Sequence, residues 1–174
     1  SENWLATVKA LGGGGTVGSA QSSTGVEMNS LIAFDVTNTL NYGDLLVSEV
    51  TDPLSKVLTT TATGNVGINQ NHSGEGMGMC VDYNDQHNPC SVGTPIGLAQ
   101  QKYSTSASTS YTDPTKAIAL TPSATLVQLK IPKVTSTPTS ANTWWGISIP
   151  SNILPGAYEG RNRIEAVKSP ISDW

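Results

Sequence analysis

The segment Trp145-Gly146-Ile147-Ser148-Ile149-Pro150 constrains the fold of this chain more than any other. Large apolar side chains at 145, 147 and 149 alternate with Gly146 and Ser148, so an extended backbone here buries one face and wets the other. Pro150 cannot donate to a ladder, and residues 151–156 supply the restricted and permissive positions a reversal needs. Beyond it, Tyr158, Ile164 and Ala166 share one parity and Glu159, Arg161, Arg163 and Glu165 the other. The pattern predicts a hairpin of two half-buried strands.

The same punctuation recurs along the chain. Strands are predicted at residues 4–10, 31–37, 44–50, 56–69, 77–81, 96–104, 125–134, 143–150 and 157–167, the spacing of a sandwich. Ile32, Phe34 and Val36 form one core face, and Val127, Leu129 and Ile131 another. The 41 serines and threonines suit strands and exposed faces better than helices, and no long window sustains a 3.6-residue period. The predicted fold is all-β, an antiparallel sandwich of immunoglobulin-like or jelly-roll type with an N-terminal extended arm.

Charge and length narrow the partners. One domain, or one domain with an arm, fits 174 residues. A net charge of −4, with nine Lys and Arg placed singly, gives no electrostatic footprint for nucleic acid or an anionic membrane. No stretch approaches the apolar length of a membrane span. The start at Ser1 without Met fits a processed, exported protein and equally a truncated chain. Cys80 and Cys90 flank a polar loop with turn formers, and a disulfide between them is expected in an oxidising compartment.

The first residues carry the next clue. Trp4-Leu5-Ala6-Thr7-Val8-Lys9-Ala10-Leu11 is a compact apolar segment, and Gly12, Gly13, Gly14 and Gly15 follow it directly as a hinge. Residues 1–28 are therefore read as arm and linker, and residues 29–174 as the sandwich with the Cys80 to Cys90 loop inserted. Apolar side chains on so free a linker must dock. Either the arm folds back as the first strand of its own sandwich, or it is donated to a neighbouring subunit, an exchange that propagates head to tail.

Other constellations suggest rival chemistry. His72, His87, Cys80, Cys90, Met77 and Met79 all fall within residues 72–90, a ligand set that suits copper, although a disulfide would remove both thiolates. Asp82, Asn84 and Asp85 offer oxygens to calcium but lack the rest of a calcium loop. The expectation is no bound metal and no cofactor. Asn71-His72-Ser73 is an N-glycosylation acceptor sequence in a predicted loop, and the Ser/Thr-rich stretches 104–110 and 135–140 are surface loops open to O-glycans. No Gly-x-Ser-x-Gly, His-Glu-x-x-His or phosphate-cradling glycine loop occurs, so no catalytic residue is assigned. Trp144, Trp145, Tyr103 and Tyr158 are candidates for a sugar-stacking face, with Trp145 placed by parity in the core.

The succession Val36-Thr37-Asn38-Thr39, Tyr42-Gly43-Asp44-Leu45, Thr63-Gly64-Asn65-Val66, Gln101-Lys102-Tyr103-Ser104, Trp145 to Pro150 and Pro155 to Gly160 resembles the immunoglobulin-like β-sandwich domains of secreted bacterial and archaeal surface proteins. With its arm, the chain is similar to all-β, Ser/Thr-rich subunits of extracellular filaments such as archaeal bundling pili and bacterial biofilm fibres. The resemblance implies a secreted or cell-surface, non-enzymatic homopolymer whose partners are identical subunits. A carbohydrate-binding or adhesion module is the alternative, and a copper-binding exported protein the third reading.

Overall fold

The computed structural model describes residues 3–4, 7–11, 17–21, 26–27, 29–83, 90 and 93–173. The chain divides into two compact units, residues 1–31 and 32–174. The first is a ribbon. Strand β2 (Thr7–Leu11) pairs antiparallel with β3 (Val17–Gln21), and β1 (Asn3–Trp4) with β4 (Val26–Glu27). The register Leu11↔Val17 places Gly12 to Gly15 between two paired strands, where the sequence suggested a hinge leading to the domain. The arm is thus paired within its own chain, with residues beyond the glycines.

The second unit is an all-β sandwich. One sheet has the order β5 (Phe34–Val36), β6 (Lys56–Ala62), β11 (Ser140–Ile147), β8 (Gln101–Ser104), β9 (Ile118–Ala119), and the other β10 (Thr125–Ile131), β7 (Ile68–Gly74), β12 (Asn162–Lys168). Every pairing is antiparallel. Two 3₁₀ turns, Leu98–Gln100 and Ile171–Asp173, are the helical elements among the described residues. None of these is long enough to cross a membrane.

Alternation decides which side chains meet. On β6, Leu58, Thr60 and Ala62 are buried, and on β11 Thr143, Trp145 and Ile147. They face Ile68, Gln70 and His72 of β7. The main core gathers Leu58, Ile96, Leu98, Tyr103, Leu120, Val127, Trp145, Ile147 and Ile149. A smaller one joins Ala62, Val66, Ile68 and Ile131 at the other end.

Several expectations change: the strand expected at 77–81 is two isolated bridges at Met79 and Cys80, that at 96–104 opens with a bridge at Ile96 and the turn Leu98–Gln100, and Ile32 is exposed instead of facing the core. The expected strand at 56–69 is two strands, β6 and β7, connected through residues 63–67 and lying in different sheets. The hairpin expected from residues 143–167 does not form, because β11 and β12 also belong to different sheets. Their connection carries Ile153 and Tyr158, which pack against the core, so burying those two side chains wins over a tight reversal. Residues 44–50 form a turn and a single bridge, Val50↔Ser148, instead of a strand.

Glycines mark two close approaches. At Gly146 an added Cβ would lie 2.9 Å from the Thr51 oxygen, because the segment carrying fully buried Leu54 covers the outer face of β11 there. Gly78 has φ +115°, and an added Cβ would sit 2.1 Å from the Ile96 carbonyl oxygen. Gly78→Ala is therefore expected to destabilise by roughly 3 kcal/mol or more, since strain and a backbone clash combine. A urea midpoint within error of the parent would count against this packing.

Candidate functional site

Beside Gly78, Met79 and Cys80 stitch distant segments together. Met79 bridges Ile96, and Cys80 bridges Glu159 through backbone bonds of 2.7 and 2.9 Å. Cys80 is buried and bonded to Cys90, with Cα atoms 5.4 Å apart. The expected disulfide is present. Closing so short a loop contributes about 2.5–3 kcal/mol through the unfolded state. Cys80→Ala together with Cys90→Ala should lower stability by that amount in urea unfolding, and an unchanged midpoint would show that the bond restrains nothing.

A groove opens next to this stitch. After β5, Thr37 N–H still donates to the Thr59 oxygen at 3.0 Å, and then the chain leaves β6. An Asn41 side chain accepting from Gly43 N–H at 2.8 Å turns it where Gly43 has φ +82°. A second turn at 46–49, tied by Glu49 N–H to the Leu46 oxygen at 3.0 Å, anchors the segment through Ile149 N–H donating to the Glu49 oxygen at 2.8 Å. Between residues 38–47 and the connection at 153–160 lies a cavity of about 960 Å³. Ile96, Ile147 and Ile149 line it, with Leu45 and Tyr158. Leu46 stands 77% exposed at its rim and Leu154 61%. Single exposed apolar residues need no explanation, but two beside an apolar groove make this the candidate site.

A smaller cavity of about 380 Å³ adjoins it, sharing Leu40, Tyr42 and Met79 as lining and running along the start of β12. Its polar floor is tightly knit. The Tyr42 hydroxyl donates to Gln101 Oε1 at 3.3 Å, and Asn162 Nδ2 donates to the same oxygen at 2.9 Å. Burial raises the Tyr42 phenol far above its ordinary value, with Tyr111 adding to the effect, so the hydroxyl stays protonated and donating. Arg161 and Glu75 pair at 3.8 Å at the mouth.

The residues singled out in the sequence are dispersed. His72 lies in β7 at the centre of the core, fully buried, with ring centroids 4.7 Å from Tyr103 and 5.4 Å from Trp145. Its Nε2 is 2.9 Å from Gln70 Oε1, while Gln70 Nε2 donates to Thr60 Oγ1 at 2.8 Å across the sheets. Gln70 Oε1 can only accept, so His72 Nε2 carries the proton and buried Nδ1 has no partner. Burial pushes this imidazole down to about 4. The ring is fully buried, whereas Met77 stands 55% exposed, and the disulfide takes both cysteine sulfurs; His87, Asn84 and Asp85 lie outside the described residues. Among the described residues no group of three His, Cys, Asp or Glu is placed to hold a metal.

Asn71, expected in a loop, is half-buried in the central strand of the three-stranded sheet, in register with Leu126 and Glu165. Tyr103 and Trp145 are both fully buried, and Trp144 lies half-buried on the opposite face of β11, so the four rings make no shared platform. The loop at 104–110 hides Ser104 and Thr109, which hydrogen-bond each other at 2.9 Å, whereas Thr135 to Thr137 are exposed. Of the donor segment, Trp4, Thr7, Val8, Lys9, Ala10 and Leu11 lie in β1 and β2; Leu5 and Ala6, like Gly12 to Gly15, lie outside the described residues.

The groove itself was missed as a site. Tyr42-Gly43-Asp44-Leu45 stood out only as strand punctuation, and the one usable signal was Leu45-Leu46-Val47, three apolar residues in a turn. The site and fold thus define an all-β sandwich with a disulfide stitch and an open apolar groove. No protein-family model, no curated protein and no solved structure matches this chain.

Proposed function

We propose that the chain is an exported structural subunit of an extracellular filament, joined to identical copies by β-strand addition. One observation carries this reading: the first 31 residues form a compact unit of their own, a two-stranded ribbon. Such a ribbon is marginal in water unless a third strand or a second layer covers it. Val8 stands 68% exposed on it, an apolar side chain in want of a cover. The disulfide suits assembly outside the cytoplasm. The likeness to strand-exchanging surface subunits points the same way, with the donor now a hairpin in place of a single arm. Removing residues 1–31 is expected to abolish fibres in negative-stain electron microscopy while circular dichroism keeps its β signature. Fibres of normal length from the truncated chain would sink the proposal.

Adhesion to a glycan is the second reading, favoured by the composition of the larger cavity. Tyr42, Tyr83 and Tyr158 line it beside Asn38, Asn41 and Asp44, rings and hydrogen-bonding groups of the kind that hold sugars. Glycan-array binding that Tyr158→Ala abolishes would favour this reading over the filament.

A further inference from the structure

We infer that the acceptor for the donated ribbon is the outer edge of β12, and that its occupant is the β2–β3 ribbon of a second copy. The inference rests on the filament reading and adds the place of the joint. Among the described residues the sandwich has four strand edges, and three are blunted. β5 and β9 offer three and two residues. β10 is interrupted: its register shifts between Val127 and Ile131, Lys130 has φ +52°, and Asn69 Oδ1 takes the Lys130 N–H at 2.8 Å. Bulges and short strands are the devices that keep an edge from pairing.

β12 has neither device. Its register with β7 is unbroken from Asn162↔Gly74 to Lys168↔Ile68, and it ends the sheet. In an antiparallel strand every second residue turns its N–H and C=O away from the partner, so Asn162 to Val167 present a row of backbone groups to an added strand. The smaller cavity runs along this edge, lined by Asn162 and Ile164 on one side and by Val36, Leu40 and Leu58 on the other. Side chains of a strand laid beside β12 would alternate into that space.

The ribbon has the matching pattern. Val8 is paired with Ala20, and alternation sets Thr7, Lys9, Ser19 and Gln21 on the opposite face. On β12, Ile164 and Ala166 face the core and Arg163 and Glu165 face out, with Arg163 already paired to Glu165 at 2.7 Å. A ribbon with Val8 and Ala20 turned inward continues the apolar layer, and puts Lys9 on the face that carries Glu165. Donor and acceptor are different surfaces of one chain, so the joint is heterologous and propagates.

Amide hydrogen exchange on the full chain, before and after assembly, tests the assignment. Exchange in peptides covering 162–168 is expected to slow at least about tenfold on fibre formation, with 125–131 unchanged. In mixed assembly, Lys9→Cys on one chain should also form a disulfide with Glu165→Cys on another, and none with Leu126→Cys on β10. Fibres whose new protection falls on β10, β5 or β9 overturn the edge assignment and leave the filament reading standing. Cross-linking of Lys9→Cys to Glu165→Cys within one monomer overturns the second copy as occupant. Absence of fibres under all conditions removes both proposals.

Discussion

Replacing Trp145 with alanine is expected to cost about 4 kcal/mol of folding stability, a large part of what a domain of this size has in reserve. The residue is fully buried, and its ring is packed 5.0 Å from Tyr103 and 5.4 Å from His72 between centroids. Its Nε1–H donates to Thr143 Oγ1 at 2.9 Å, so truncation also leaves a hydroxyl at the centre of the sandwich without that donor. Trp145→Phe keeps most of the ring and removes the donor, and should cost about 1–2 kcal/mol. Urea unfolding of both variants checks the ranking. A loss below about 1 kcal/mol for the alanine variant would mean that Trp145 is not central to the core.

Acid should destabilise the same region through His72. In the folded chain burial holds this imidazole at about 4, against an ordinary value of 6.5 in the unfolded chain. Above pH 6.5 both states are neutral at this group and its contribution is whole. Between pH 6.5 and 4 the unfolded chain takes up a proton that the folded chain refuses, so stability falls as pH falls, by about 3 kcal/mol in all. Below pH 4 this group takes no more. The ring faces Gln70, Tyr103 and Trp145, none of them charged in this range, so no neighbour offsets a proton on Nδ1. His72→Gln, if folded, should flatten the stability profile between pH 7 and 4.5. Titration of the native ring by NMR gives a second route, and a value near 6.5 would contradict the buried placement. The two sites are coupled: a cavity at position 145 admits water beside His72, so Trp145→Ala should also raise the imidazole towards its ordinary value.

The apolar half of the core was legible because strand alternation is local. Trp145 and Ile147, Val127 and Ile131, and Ile164 and Ala166 all point where period two puts them. The polar half was not. Ile68-Asn69-Gln70-Asn71-His72 is polar on both parities, so no hydrophobic pattern reveals that Gln70 and His72 face inward. Gln70 is held by a cross-sheet bond to Thr60 and in turn accepts from His72, and that first bond depends on a residue ten positions and a whole sheet away. The groove escaped for a related reason, since its walls come from residues 38–47 and 153–160, which are far apart in the chain and irregular. The disulfide was legible because nine intervening residues with turn formers allow two cysteines to meet whatever surrounds them. Thr7–Leu11 was readable as extended, but its pairing with Val17–Gln21 was not, because no hydrophobic pattern in 17–21 marks it as a partner strand.

The placement of the sandwich's first and last strands sets how it bears load. β5 is an edge of one sheet and β12 an edge of the other, so no ladder of backbone hydrogen bonds joins them. Tension applied between Phe34 and Lys168 must pass through the side chains packed between the sheets, or else peel each end strand from its neighbour one bond at a time. β5 holds to β6 over three residues, β12 to β7 over seven. Under pull the N-terminal end yields first, and what lies beyond it is Asp35↔Thr61 and Val36↔Thr60, a short fastening that gives way while the interior still holds. A chain of such domains would lengthen in small steps at its joints before any core came apart.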